Sequence, residues 1–199
     1  MILKKKILIT SIIFLNLICI NSSIAIEPDI FVQSTVNRAS KLLSENITKD
    51  EKIEKLKLIA KDTVDIKGIG LYTLGGARKN LTDEEKSIYS VRFENYFLKS
   101  FSSRLAEYTN PEIDVFAKEV LNKNYTIVNS VLKATSERPE IKIDWRIYTK
   151  NPDQPLIRDL IIEGLSLART QKEEFASVLS SNDGDINALF KTLEEFSNK

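Results

Sequence analysis

Beyond residue 27 apolar positions recur at every third or fourth residue, which is the spacing of one helix face. After Pro28-Asp29 the series Phe31, Val32, Thr35, Val36, Ala39, Leu42 and Leu43 predicts a helix to about Glu45. Thr48-x-x-Glu51 has the form of a capping box, in which the two side chains satisfy free backbone N–H groups reciprocally. It opens a second helix with Ile53, Leu56, Ile59 and Ala60 on one face and Lys and Glu on the other. A short third helix from Val64 to Leu74 ends at Gly75-Gly76, because glycine adopts the left-handed backbone of a helix end without steric cost. A second box, Thr82-x-x-Glu85, opens a long helix to about Tyr108, striped with Ile88, Val91, Phe93, Tyr96, Phe97, Phe101 and Leu105. Asn110-Pro111 stops it.

The period then drops to two. Strands are predicted at Ile113–Leu121, Tyr125–Thr135, Ile141–Tyr148 and Leu156–Glu163. In the third, Ile141, Ile143, Trp145 and Ile147 alternate with Lys142, Asp144, Arg146 and Tyr148, the signature of a half-buried strand. The links between strands are short, which favours antiparallel neighbours. Two more helices follow, from about Arg169 to Ser180 and from about Asp185 onward. Helices, then a four-stranded antiparallel sheet, then helices define an α+β fold with the helices on one face of the sheet.

The fourth strand is the least ordinary. Strict alternation puts Ile157, Asp159 and Ile161 on one side and Leu156, Arg158, Leu160 and Ile162 on the other. Each side then carries one charge among apolar neighbours, so neither reads as solvent-facing. Periodicity leaves packed core and cavity wall both open. Arg158 and Asp159 face opposite ways in this reading. Asp159, costly to bury alone, is expected to accept hydrogen bonds from backbone or a basic side chain.

Composition narrows the chemistry. Lys4-Lys5-Lys6, the apolar run Ile7–Ile20 and the small residues of Ser23-Ile24-Ala25 read as a cleavable secretory signal over residues 1–25, leaving 26–199 as one domain. The chain holds 29 basic and 28 acidic residues; three of the basic ones lie in that leader, so the remainder is slightly acidic and no nucleic-acid partner is indicated. There is no His, and the only Cys, Cys19, lies in the leader. Disulfides, the usual zinc sites and His-based nucleophilic mechanisms therefore have no residues to work with in residues 26–199. A hydrolase built on Ser166 or on carboxylates stays open, as does a binding module for an apolar partner segment.

Specific runs carry a resemblance. Leu74-Gly75, the helix from Thr82 to Tyr108 with Phe93, Phe97 and Tyr108 spaced along it, and Asp159 followed by Glu163-Gly164-Leu165-Ser166 and Phe175 together resemble the MlaC family, also called the toluene-tolerance family. Arg78 stands where many members carry Trp, and Gln171 and Lys172 stand where many carry Tyr-Arg. The resemblance implies a helical layer over a curved sheet enclosing an apolar pocket. It also implies a phospholipid carrier of the periplasm, without a cofactor and without covalent chemistry; a monomer is the expected state. The implied partners are an inner-membrane ABC-type transporter complex and an outer-membrane lipoprotein–porin complex.

The lining expected of such a pocket, taken from strand parity and the helical stripe, is Leu74, Phe93, Phe97, Phe101, Val128, Leu132, Ile143, Trp145, Ile147, Ile161, Leu165 and Leu167. Two acyl chains of roughly 30 carbons represent ~20–25 kcal/mol of hydrocarbon burial at ~0.8 kcal/mol per methylene. A carrier must match that burial with its own wall, which calls for a pocket on the order of 1,000 Å³.

Overall fold

A computed structural model describes residues 25–199. The leader assigned to residues 1–25 lies almost wholly outside them. No helix among the described residues is long and apolar enough to cross a membrane.

Four helices come first: α1 (Pro28–Leu43), α2 (Lys49–Thr63), α3 (Ile66–Thr73) and α4 (Asp83–Leu105). Both predicted capping boxes form, at Thr48/Glu51 and Thr82/Glu85. Gly75 takes the left-handed conformation, φ +55°, that ends α3, and a short 3-10 turn, Ala77–Lys79, leads to α4. The strands are β1 (Ile113–Asn122), β2 (Tyr125–Leu132), β3 (Ile141–Tyr148), β4 (Leu156–Ile162) and β5 (Leu165–Ser166). They pair antiparallel in chain order as an open sheet. The chain closes with α5 (Leu167–Ser180) and α6 (Ile186–Asn198).

The architecture is α+β as read, with five strands instead of four. The fifth arises because Glu163 and Gly164 both have positive φ, +49° and +82°, and make a two-residue hairpin turn that returns Leu165 against Ile162. The run Glu-Gly-Leu-Ser is thus a tight turn, one strand pair and a helix start.

The helices pack on the sheet face carrying Val128, Leu132, Ile143, Trp145 and Ile147, all buried in one apolar cluster with Phe93 of α4, Phe175 of α5 and Leu189 and Leu193 of α6. Ser130 lets a tryptophan sit in that cluster: its hydroxyl accepts from Trp145 Nε1 at 2.8 Å and donates to the Ile143 carbonyl at 2.9 Å. A smaller cluster of Leu42, Leu43 and Leu56 ties α1 to α2. The free edge, β1, exposes Phe116, Val120 and Leu121. Its register shifts at Phe116 and Leu121, and such bulges blunt an edge against pairing with another strand.

Two glycines show how close α3 lies to its neighbours. A Cβ on Gly70 would stand 2.8 Å from the Phe93 ring, whereas one on Gly76 would meet nothing within 4 Å. Gly70→Ala is expected to destabilise the protein by up to about 2 kcal/mol, overpacking of ~1–3 kcal/mol being offset in part by a helix-propensity gain of ~1 kcal/mol. Gly76→Ala, at an ordinary helical φ of −70°, should instead stabilise by about 0.5 kcal/mol. Urea unfolding of both variants measures the contrast in sign.

Candidate functional site

The site is built around an irregularity in β4. Opposite β3, Ile147 pairs with Ile157 and Arg146 pairs with Asp159, so Arg158 is an extra residue with no partner of its own. This bulge reverses the alternation. Ile157 and Leu160 both fall on the face of Ile147 and Trp145, while Ile161 pairs with Asp144 on the other face. Strict parity had grouped Ile157 with Ile161; the inserted residue separates them.

The two charges beside the bulge act as anchors to different elements. Arg158 donates through Nε to Asp65 Oδ2 at 2.6 Å and through Nη1 to Tyr125 Oη at 3.0 Å, and its guanidinium lies 4.2 Å from the centre of the Tyr148 ring. Asp65 in turn caps α3, accepting from Gly68 N at 2.8 Å. Asp159 is buried. Its carboxylate accepts from Ser166 Oγ at 2.6 Å and from Ala168 N at 3.0 Å, with Arg146 Nη1 3.6 Å away. The Ser166 hydroxyl also accepts from Arg169 N at 3.1 Å, so it is the N-cap of α5. With its proton directed to a buried carboxylate and its lone pair to a helix N–H, Ser166 is held as a structural cap. Asp159 fulfils its expected role as an acceptor of backbone and side-chain donors.

Together these anchors fix α3 and α5 beside β4, and a cavity of about 230 Å³ remains between β3–β4, α4 and α5. Trp145, Ile157 and Leu160 form its floor. Phe93, Tyr96, Phe97, Ser100, Phe101 and Arg104 come from α4, and Leu167, Ala168, Thr170, Gln171 and Glu174 from α5. Val64 and Ile69 close the side next to Arg158 and Asp159. The aromatics of α4 follow one another along the helix, Phe97 stacked on Phe101 with ring centres 5.5 Å apart and tilted against Phe93 at 6.1 Å. The Phe175 ring packs edge-on against Phe93 and Tyr96. The walls are therefore mostly hydrocarbon; Arg104 and Glu174 stand exposed at the rim, and Arg158 and the buried Asp159 flank the chamber on the β4 side.

At that rim the Tyr96 hydroxyl donates to Gln171 Oε1 at 2.7 Å, and Gln171 Nε2 donates to Glu174 Oε2 at 2.8 Å. Burial, and next the Glu174 carboxylate, raise the Tyr96 phenol above its ordinary pKa, so it stays a neutral donor; Arg104 acts in the opposite sense. A second hollow of about 350 Å³ lies between α3 and α4, but Lys67, Asp83, Lys86, Ser87 and Ser90 line much of it and give it no apolar wall of comparable extent.

Of the positions expected to line a pocket, Phe93, Phe97, Phe101, Trp145 and Leu167 come together at the cavity. Leu74, Val128, Leu132, Ile143 and Ile147 are buried in the surrounding core and do not reach it. Ile161 is on the opposite face, and Leu165, 59% exposed, sits in the β4–β5 hairpin away from the cavity. Ile157 and Leu160 were missed because their convergence depends on the bulge. Thr170, Gln171 and Glu174 follow α5 spacing, but no apolar signal marks them. The cavity is also much smaller than the 1,000 Å³ expected, since Phe93, Phe97 and Phe101 project into the space between the layers.

The fold and cavity define an α+β protein with an apolar chamber between a helical layer and an open sheet. A family model described as MlaC protein matches residues 33–195, and the chain belongs to that family. Its fold is similar to that of the phospholipid-binding protein from Ralstonia solanacearum, solved in complex with a phospholipid. The TM-score is 0.73 at 18% identity, covering 87% of this chain and 98% of that one. No curated protein matches by sequence.

Asp159→Ala removes the acceptor of a buried backbone N–H and a buried hydroxyl. A loss of about 2–4 kcal/mol in unfolding free energy is expected. Ser166→Ala, which removes one cap, should lose only about 1 kcal/mol, as measured by denaturant titration.

Proposed function

We propose that the protein is a phospholipid carrier that holds acyl chains in the chamber between α4, α5 and β3–β4. In this reading residues 26–199 form one lipid-binding domain behind a cleaved export signal, and the chain works in the periplasm between inner-membrane and outer-membrane complexes. The carrying observation is the chamber itself, whose hydrocarbon wall converges from α3, α4, α5, β3 and β4 on a rim of polar groups. Family membership and the phospholipid bound by the Ralstonia solanacearum protein support it.

The physical logic is an exchange of one apolar solvent for another. Each methylene that leaves a bilayer must find ~0.8 kcal/mol of equivalent burial in the protein. Leu160 and the α4 phenylalanines supply such contacts without hydrogen-bonding demands, and Trp145 does so with its N–H already donated to Ser130. Two full acyl chains need more volume than 230 Å³ provides, so loading requires α4 and α5 to move outward from β3 and β4. The anchors at Asp159 and Ser166 hold the N-terminal end of α5 to β4, so in this reading α5 pivots outward about that end. Because lipid leaves one apolar medium for another, direction comes from differential affinity at the docking partners or from ATP hydrolysis there.

Filling the chamber should abolish carriage without unfolding the protein. Ser100 lines the cavity and is half-buried. Ser100→Trp is expected to lower co-purifying phospholipid at least tenfold, read by native mass spectrometry, while the thermal midpoint stays within a few degrees of wild type. Undiminished phospholipid in that variant would contradict the reading, and a bound peptide in place of lipid would favour a chaperone.

A further inference from the structure

Four charged residues line the chamber: Arg104, Arg158, Asp159 and Glu174. Two are committed within the fold, Arg158 to Asp65 and Asp159 to Arg146, Ser166 and Ala168. The other two stand at the exposed rim, Arg104 on the last turn of α4 and Glu174 on α5. Among the described residues no ion pair engages either of them, and they are not paired with each other. Glu174 is nonetheless held in place, because the Gln171 amide donates to it and is itself fixed by the Tyr96 hydroxyl.

We propose that Arg104 and Glu174 form a two-point site for a zwitterionic headgroup, Arg104 taking the phosphate and Glu174 the ammonium of an ethanolamine-type phospholipid. The inference rests on the carrier reading and adds a headgroup preference to it. With acyl chains between the layers, the headgroup has to stay at the rim, where these two unpaired charges of opposite sign lie. A guanidinium offers a planar fork of donors that matches phosphate oxygens. A carboxylate accepts from a primary ammonium, whereas the glycerol of an anionic headgroup gives it no charge to meet. Arg104 and Glu174 come from two different helices, α4 and α5, and both line the same chamber.

The test offers lipid-free protein mixed vesicles of phosphatidylethanolamine and phosphatidylglycerol in equal amounts. Total phosphorus and headgroup ratio are then measured on the re-isolated protein. Wild type is expected to take up lipid enriched in phosphatidylethanolamine. Glu174→Gln should shift the ratio toward phosphatidylglycerol about two- to fivefold, the range of a partly exposed ion pair. Arg104→Gln should lower uptake of both lipids. Wild type that binds phospholipid in the offered ratio, or a Glu174→Gln ratio equal to that of wild type, overturns the headgroup site and leaves the carrier reading standing. Wild type that takes up no phospholipid overturns both.

Discussion

The structure depends on one inserted residue in β4. Without the bulge at Arg158, Ile157 and Leu160 would fall on opposite faces of the strand. With it, they share a face with Trp145 and Ile147. The same two residues that make the irregularity, Arg158 and Asp159, hold the neighbouring helices. Arg158 reaches Asp65, the N-cap of α3, and Asp159 reaches the N-terminus of α5. Charges in a largely apolar strand would be expensive if unmatched. Here each is satisfied by a helix end, so the polar groups set the position of the elements that enclose an apolar space.

Much of this was legible from the pattern of residues. Capping boxes, the Gly75 stop and the alternation in β3 depend on neighbours close in sequence, and the elements they mark form within a few residues of the predicted ends. The family runs were legible too, and the fold they implied is the one found. What periodicity could not deliver was register. A bulge changes which side chains converge while leaving the amino-acid types unchanged, so Ile161 looked like a lining residue and Leu160 did not. The depth of the core was equally hidden. Val128, Leu132, Ile143 and Ile147 have the same apolar character as Trp145, and only the placement of α4 and α5 decides which of them faces space and which faces other side chains.

The chamber's modest volume has a physical meaning for a carrier. An apolar cavity wide enough for two acyl chains forfeits dispersion contacts along its whole lining. Packing the α4 phenylalanines into the interlayer space recovers some of those contacts. In the proposed carriage, lipid would replace side-chain contacts with acyl contacts of similar strength. The polar anchors at Asp65 and Asp159 hold the helix ends beside β4, and Asp159 itself lines one side of the chamber.

Trp145 is the chain's only tryptophan and forms part of the chamber floor, which makes it a built-in reporter. The most direct measurement is quenching of its fluorescence by phospholipids brominated along the acyl chain, since bromine quenches at contact. The account predicts strong quenching once such a lipid is bound, and little from a bound lipid carrying bromine only on its headgroup. Bound brominated-chain lipid that leaves Trp145 emission unchanged would show that the acyl chains lie elsewhere and would contradict the account.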